Sequence, residues 1–261
     1  MKKFNLIEGA IRRNYYLYVF LRKIAPFICR FISLEDGFNF LKFIKPLNQN
    51  FVALDIGAND GTSIRMIHKY LPDSVIESFD PITKPKFKLK NVNFHKLGLS
   101  NKDQELEIFS PVIKGKVFSQ YSSIYKEKII HQITSDMKLN ESEVLLQKNL
   151  ITLKKLDNFN FTPFFMKIDV EGAELTVLEG AESTIRKNLP VLLIEIQNND
   201  MYEKATQFFG RMDYFCVDPN NYFLPSRGRK MLKNNSRGFD AGTNNYIWVP
   251  SGISPSWTIK D

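Results

Sequence analysis

The chain has 261 residues, of which 43% are hydrophobic and 25% charged, and carries a formal net charge of +8. That much apolar material builds a sizeable core, so a disordered chain is excluded, and the length suits one embellished domain. The positive balance predicts attraction to phosphates, anionic glycans or a membrane surface and says nothing of fold. Cys29 and Cys216 lie far apart in apolar surroundings with no metal or redox spacing, which predicts buried free thiols in a reducing compartment such as the cytoplasm.

Residues 1–50 read as a helical extension broken at Pro26. Its apolar stretch holds Arg22, Lys23 and Arg30, too many charges for a membrane-spanning helix. A helical flap packed on the domain is expected, with a basic, aromatic-rich helix lying on a membrane as the alternative.

From Phe51 the pattern changes. Phe51-Val52-Ala53-Leu54-Asp55 reads as a strand and 62–70 as a helix, with Ile64, Ile67 and Leu71 at helical spacing before Pro72. Residues 75–79 and 92–97 read as the second and third strands, and 104–109 alternates like an edge strand or hairpin arm. Residues 111–123 read as loop, 125–149 as a helical insertion and 151–153 as a short strand. Phe164-Phe165-Met166-Lys167-Ile168 is the fourth strand, followed by a helix over 173–187. Residues 190–196 are apolar until Glu195, as a strand buried on both faces of a parallel sheet requires. A helix over 201–211, strands over 214–217 and 245–249, a loop over 218–242 and a tail from 251 complete the chain.

This alternation predicts an α/β fold around a mostly parallel, doubly wound sheet, with the main domain over 51–250. Ligands of such sheets bind beyond the carboxyl ends of the strands, where Asp55, Asp80, Asp169 and Glu195 all fall. The turn Asp55-Ile56-Gly57-Ala58-Asn59-Asp60-Gly61 spaces its glycines as Gly-x-x-x-Gly, unlike the Gly-x-Gly-x-x-Gly of dinucleotide binders. Its acids and Asn59 suit a cationic ligand better than a pyrophosphate, and S-adenosylmethionine carries both an ammonium and a sulfonium. Asp80, nineteen positions after Gly61, stands where α/β nucleotide binders grip ribose hydroxyls. Leu99 and Ser100, in the turn after the third strand, fall where an adenine would lie.

The residues Met166-Lys167-Ile168-Asp169-Val170-Glu171-Gly172-Ala173-Glu174, with Asp55-Ile56-Gly57-Ala58-Asn59 and the strand ending in Glu195-Ile196, resemble the FkbM family of methyltransferases. The likeness runs over about 51–249. It implies a Rossmann-like fold, S-adenosylmethionine as donor, and O-methylation of a sugar, glycan or natural-product hydroxyl. The family often has Glu before Pro where this chain has Asp80-Pro81. Residues before 51 and the 125–146 stretch lie outside the likeness.

A sugar hydroxyl is a poor nucleophile until its proton is drawn off. Asp169 is the expected nearest carboxylate, with Glu171 and Glu195 assisting as bases or as ligands of a hard cation, although no metal site is predicted. His95 is a further candidate base. The acceptor is expected against the N-terminal helices, the insertion and the loop holding Arg227, Arg229, Lys230, Lys233 and Arg237. That expectation admits an anionic or lipid-linked glycan and peripheral membrane contact. Three other readings stay open: a nicotinamide-dependent oxidoreductase, a nucleic-acid methyltransferase, and a non-catalytic glycan- or membrane-binding module. The acidic Asp169-Val170-Glu171-Gly172 turn disfavours nucleic acid.

Overall fold

The computed structural model describes residues 37–47, 49, 51–85, 88–218, 222–224, 231–236, 238–240 and 244–260. The helical reading of 1–36, Cys29, Arg227, Arg229, Lys230 and Arg237 lie outside them. In chain order, a 3-10 turn at Phe38–Phe43 leads into β1 (Ile44–Pro46), β2 (Val52–Ile56), α1 (Thr62–Tyr70), β3 (Val75–Phe79), β4 (Val92–His95), β5 (Gly98–Leu99), β6 (Gln104–Ile113) and β7 (Lys116–Val117). Then come α2 (Lys126–Met137), β8 (Leu145–Lys154), β9 (Pro163–Ile168), α3 (Glu174–Glu179), α4 (Glu182–Asn188), β10 (Val191–Glu195) and α5 (Asn199–Gly210). The chain closes with β11 (Tyr214–Val217), β12 (Phe223–Leu224), β13 (Met231–Leu232), β14 (Asn245–Pro250) and β15 (Trp257–Ile259).

The main sheet has seven strands in the order β11-β14-β10-β9-β2-β3-β4. Strand side chains alternate between faces, and the core divides accordingly. Leu54, Ile56, Met166, Ile168, Leu192, Ile194, Tyr246 and Trp248 pack under Val177 of α3, Ile185 of α4 and Phe209 of α5. Ala53, Phe165, Val191, Leu193, Ile247 and Val249 pack on the other face with Ile64 and Ile67 of α1 and with Phe38 and Phe40. Helices therefore cover both faces, and β9 is buried along its whole length.

The sheets are mixed rather than simply parallel. β2, β3, β4, β9 and β10 run parallel, but β14 is antiparallel to both β10 and β11. A parallel return needs a crossover, usually helical, whereas an antiparallel one needs only a loop. The described part of the link from β11 to β14 holds a small β12–β13 ladder and no helix.

A second sheet, in the order β5-β8-β6-β7, differs most from expectation. β6 runs on to Ile113 and pairs with a ten-residue β8, so part of the predicted loop and the end of the predicted helical insertion are strand. Pro111 pairs opposite Leu146 inside this ladder. Its carbonyl accepts from Phe118 N on the β7 side, so its missing N–H is not one of the β6–β8 rungs. The helix itself is shorter than expected and packs Ile129, Ile133 and Met137 on Ile113 and Phe118, a small core of its own. No helix among the described residues is long and apolar enough to cross a membrane. Cys216 is a buried free thiol.

The main and second sheets meet where the α3–α4 junction presses on the turn after β5. A Cβ on Gly180 would stand 1.9 Å from the carbonyl oxygen of Ser100, so only glycine fits there. Asn101 Nδ2 adds a 2.8 Å bond to Glu179 Oε2 across the same contact. Gly180→Ala is expected to cost about 1–3 kcal/mol in urea unfolding, the range of overpacking; an unchanged midpoint would show that the two pieces separate freely.

Candidate functional site

The carboxyl ends of β2, β3, β9 and β10 meet at one edge of the main sheet. Beyond β2 the chain must turn at once. Gly57 has φ 86°, and a Cβ there would fall 1.7 Å from the carbonyl oxygen of Asp169, so the turn can lie against the end of β9 only as glycine. Gly61, also left-handed, caps α1. Asp80 at the end of β3 secures the same turn. Its Oδ2 accepts from Asn59 N at 2.9 Å, and its Oδ1 accepts from Ile82 N and Thr83 N at 2.8 and 2.6 Å. Burial pushes this carboxyl up, and the three backbone N–H groups oppose that. Ser119 Oγ, from the second sheet's connection, donates to Asn59 Oδ1 at 3.0 Å.

Lys167 was not singled out by sequence reasoning, yet it organises this edge. It is 2% exposed. Its Nζ donates to Gly57 O at 3.0 Å and to Asp169 Oδ2 at 2.9 Å, and lies 3.9 Å from Asp55 Oδ1. The signal was a lone lysine within an apolar central strand, in register with Asp55 on β2. Asp55 is wholly buried, accepts from Ser63 Oγ at 2.9 Å and does not reach the cavity described below. Burial pushes it up to about 6 against the pull of Lys167. Burial also raises Asp169, but the charge and hydrogen bond of Lys167 outweigh it and hold that carboxyl below its ordinary value.

Three carboxylates converge beside Lys167. Oxygens of Asp169, Glu174 and Glu195 all lie within 4.8 Å of one another. Asp169 and Glu195 follow Ile168 and Ile194, which are register partners on parallel strands, so adjacency of the two acids follows from the sheet. Glu174, also missed from sequence, is fully buried in the first turn of α3. Its Oε1 accepts from Val170 N at 2.9 Å and Gly172 N at 3.1 Å, bracing a turn in which Glu171 has φ 57° and Gly172 φ 103°. Burial, then the charge of Asp169 and a hydrogen bond to it, then Glu171 and Glu174, push Glu195 up to about 9. Burial raises Glu174 as well.

These groups border a cavity of about 390 Å3. Of the residues expected from sequence, Gly57, Asn59, Asp80, Leu99, Ser100, Asp169 and Glu171 line it, while Gly61 and Glu195 do not. The far wall belongs to the second sheet: Leu106, Ile108, Ile151 and Leu153, with Ser119, Ser122, Tyr125 and Lys128 beside them. No described residue of the 218–242 loop lines it, and Lys233 is paired with Asp218 at 2.8 Å. His95 is also absent from the lining; it contacts Glu77 Oε2 at 2.6 Å and stacks on Phe79.

The raised Asp55 carboxyl makes a prediction whose sign is fixed. The folded chain holds this proton up to about pH 6, whereas the unfolded chain releases it near 3.8. The unfavourable contribution of the buried charge is therefore absent below 3.8 and complete above about 6. Asp55→Asn removes it, so its unfolding free energy relative to the parent is expected to rise by about 2–3 kcal/mol as pH climbs through that window. Urea titrations across the window check this; a difference that does not vary with pH would contradict it.

A family model described as the methyltransferase FkbM domain matches residues 55–227. Comparison with curated proteins finds no match. Among solved structures, a methyltransferase FkbM from Methylobacillus flagellatus KT is similar at 14% identity and a TM-score of 0.44, over 77% of this chain and 44% of that one. The chain thus spans less than half the length of that protein. Precorrin-6y C5,15-methyltransferase from Geobacter metallireducens GS-15 is similar at 15% identity and a TM-score of 0.33, over 77% of this chain and 80% of that one. A SAM-dependent O-methyltransferase from Thermotoga maritima is similar at 10% identity and a TM-score of 0.33, over 88% of this chain and 66% of that one. With the family model matching more than half of its length, the chain belongs to the FkbM family of methyltransferases.

Proposed function

We propose that the chain binds S-adenosylmethionine at this strand edge and methylates a hydroxyl of a sugar, glycan or natural product. The observation that carries the reading is the placing of Asp80 on the cavity wall, between the Gly57 turn and the Leu99-Ser100 turn, with carboxylates rather than free cations at the floor. Asp80 has used three acceptor positions on backbone N–H groups, and a carboxylate offers about four, so capacity for one ribose hydroxyl remains. Leu99 offers an apolar face and Ser100 a hydroxyl for the adenine. The donor's ammonium and sulfonium suit the acidic surroundings of Asp169 and Glu171. A nicotinamide dinucleotide would bring a pyrophosphate into that negative field, and the crowded glycines that bind one are missing.

S-adenosylmethionine, when bound, supplies a methyl carbon already activated by its sulfonium. The chain then has to position the acceptor, which is worth up to about 7–11 kcal/mol. The acceptor's O–H bond breaks as its O–CH3 bond forms, and the negative groups at Asp169 and Glu171 on the cavity wall favour departure of that proton. Among the described residues, the far wall mixes hydroxyls with apolar side chains around a single lysine, Lys128. That lining favours a largely neutral, hydroxyl-bearing acceptor with an apolar portion over a polyanion. Exposed Ile124 and Tyr125 at the cavity suit the apolar portion. Buried, unpaired Cys216 fits a cytosolic setting.

Calorimetric titration with S-adenosylmethionine, S-adenosylhomocysteine and NAD tests the donor reading. Micromolar binding of the first two is expected, weakened about 100-fold in Asp80→Ala, since a hydrogen bond to a charged group contributes about 1.5–3 kcal/mol. Asp80→Asn, which keeps an acceptor for the Asn59 turn, separates loss of ribose contacts from loss of loop order. Binding of NAD in place of the first two would overturn the reading.

A further inference from the structure

We propose that Asp169, Glu174 and Glu195 hold one hard divalent cation of the magnesium or manganese type. Its place in the reaction, though not its binding, rests on the methyl-transfer reading above.

The argument begins with charge. Asp55 and Asp169 share the ammonium of Lys167, at 3.9 and 2.9 Å, and carboxylate oxygens of Glu174 and Glu195 lie within 4.8 Å of one of Asp169. Lys167 is committed to Gly57 O and Asp169 Oδ2. The remaining acids are held together by elements that cannot spread apart. Asp169 and Glu195 continue adjacent parallel strands, and Glu174 is fixed by two backbone N–H groups at Oε1. Like charges so confined repel unless a proton or a cation stands between them; a proton shared by Glu195 and Asp169 is one answer, and a cation that displaces it is the other.

The independent observation is Glu174 Oε2. Glu174 is 0% exposed, and this oxygen has no hydrogen-bond partner. An orphaned, dehydrated carboxylate oxygen costs more than an unmade neutral hydrogen bond. It belongs to the carboxylate that sits within 4.8 Å of the oxygens of Asp169 and Glu195. Oxygen donors from three carboxylates form the ligand chemistry of hard divalent ions, and neither histidine nor cysteine is among them. Asp169 borders the cavity, so a cation held on it would lie within reach of a hydroxyl bound there. A hydroxyl bound there has its pKa lowered. The proton is lost to water, the acceptor oxygen bonds to the methyl carbon, the carbon–sulfur bond breaks, and the cation is unchanged.

The test is titration of the chain with Mn2+, reading free Mn2+ by electron paramagnetic resonance, beside Glu195→Gln and Glu174→Gln. The parent is expected to retain one Mn2+ that excess Mg2+ displaces, and each variant to bind about 100-fold more weakly. Glu174→Gln also touches the brace of the 170–172 turn, so Glu195→Gln at the strand end decides if Glu174→Gln fails to fold. Mn2+ left free by the parent would overturn the proposal, and so would Mn2+ bound equally by parent and Glu195→Gln. S-adenosylhomocysteine binding, measured in parallel, reports on the donor site alone. Its absence alongside bound Mn2+ would remove the methyl-transfer reading and leave the cation site standing.

Discussion

One buried ammonium holds this strand edge together. Lys167 ties the carbonyl of Gly57 to the carboxylate of Asp169 and lies close to Asp55. The turn after β2 and the turn after β9 are thereby fixed against each other, with Gly57 pressed on the backbone of Asp169. A buried ionic group gains little in net stability, because desolvation offsets most of the attraction, yet removing one partner leaves an expensive unpaired charge. Its value here is positional. Whatever binds against the Gly57 turn meets Asp169 in a set place.

The remaining acids depend on that arrangement. Asp80 draws the Asn59 backbone and the 82–83 backbone towards β3, which shapes that wall of the cavity. Glu174 braces the turn that carries Glu171 in a left-handed conformation, a strained geometry of the kind that concentrates at functional sites. The second sheet then closes the cavity opposite, anchored to the motif by Ser119 on Asn59. The two walls of the cavity are thus built from different parts of the chain and joined by short polar contacts.

Much of this was legible in the residues. Short apolar runs ending in Asp55, Asp80, Asp169 and Glu195 marked the strand ends, and glycine spacing marked the first turn. Lys167 was hidden because it stood inside an apolar run, where its charge reads as an exception to the pattern rather than as its purpose. Glu174 was hidden because an acid in the first turn of a helix is ordinary; only its complete burial makes it notable. β6 beyond Phe109 and β8 before Ile151 were hidden because one face of their sheet borders a cavity. Polar Ser110, Gln147 and Asn149 share that face with Ile108 and Ile151, so the apolar alternation that betrays a half-buried strand is broken. Asp55 was placed at the ligand from its position after a strand, whereas full burial makes it a partner of Ser63 and Lys167.

The most direct check is a crystal structure of the chain with S-adenosylhomocysteine. The account predicts a ribose hydroxyl on the Asp80 carboxylate, the adenine against Leu99 and Ser100, and the thioether sulfur directed towards Asp169. A nucleoside bound away from Asp80, or lying with its sulfur turned from the Asp169 edge, would contradict it.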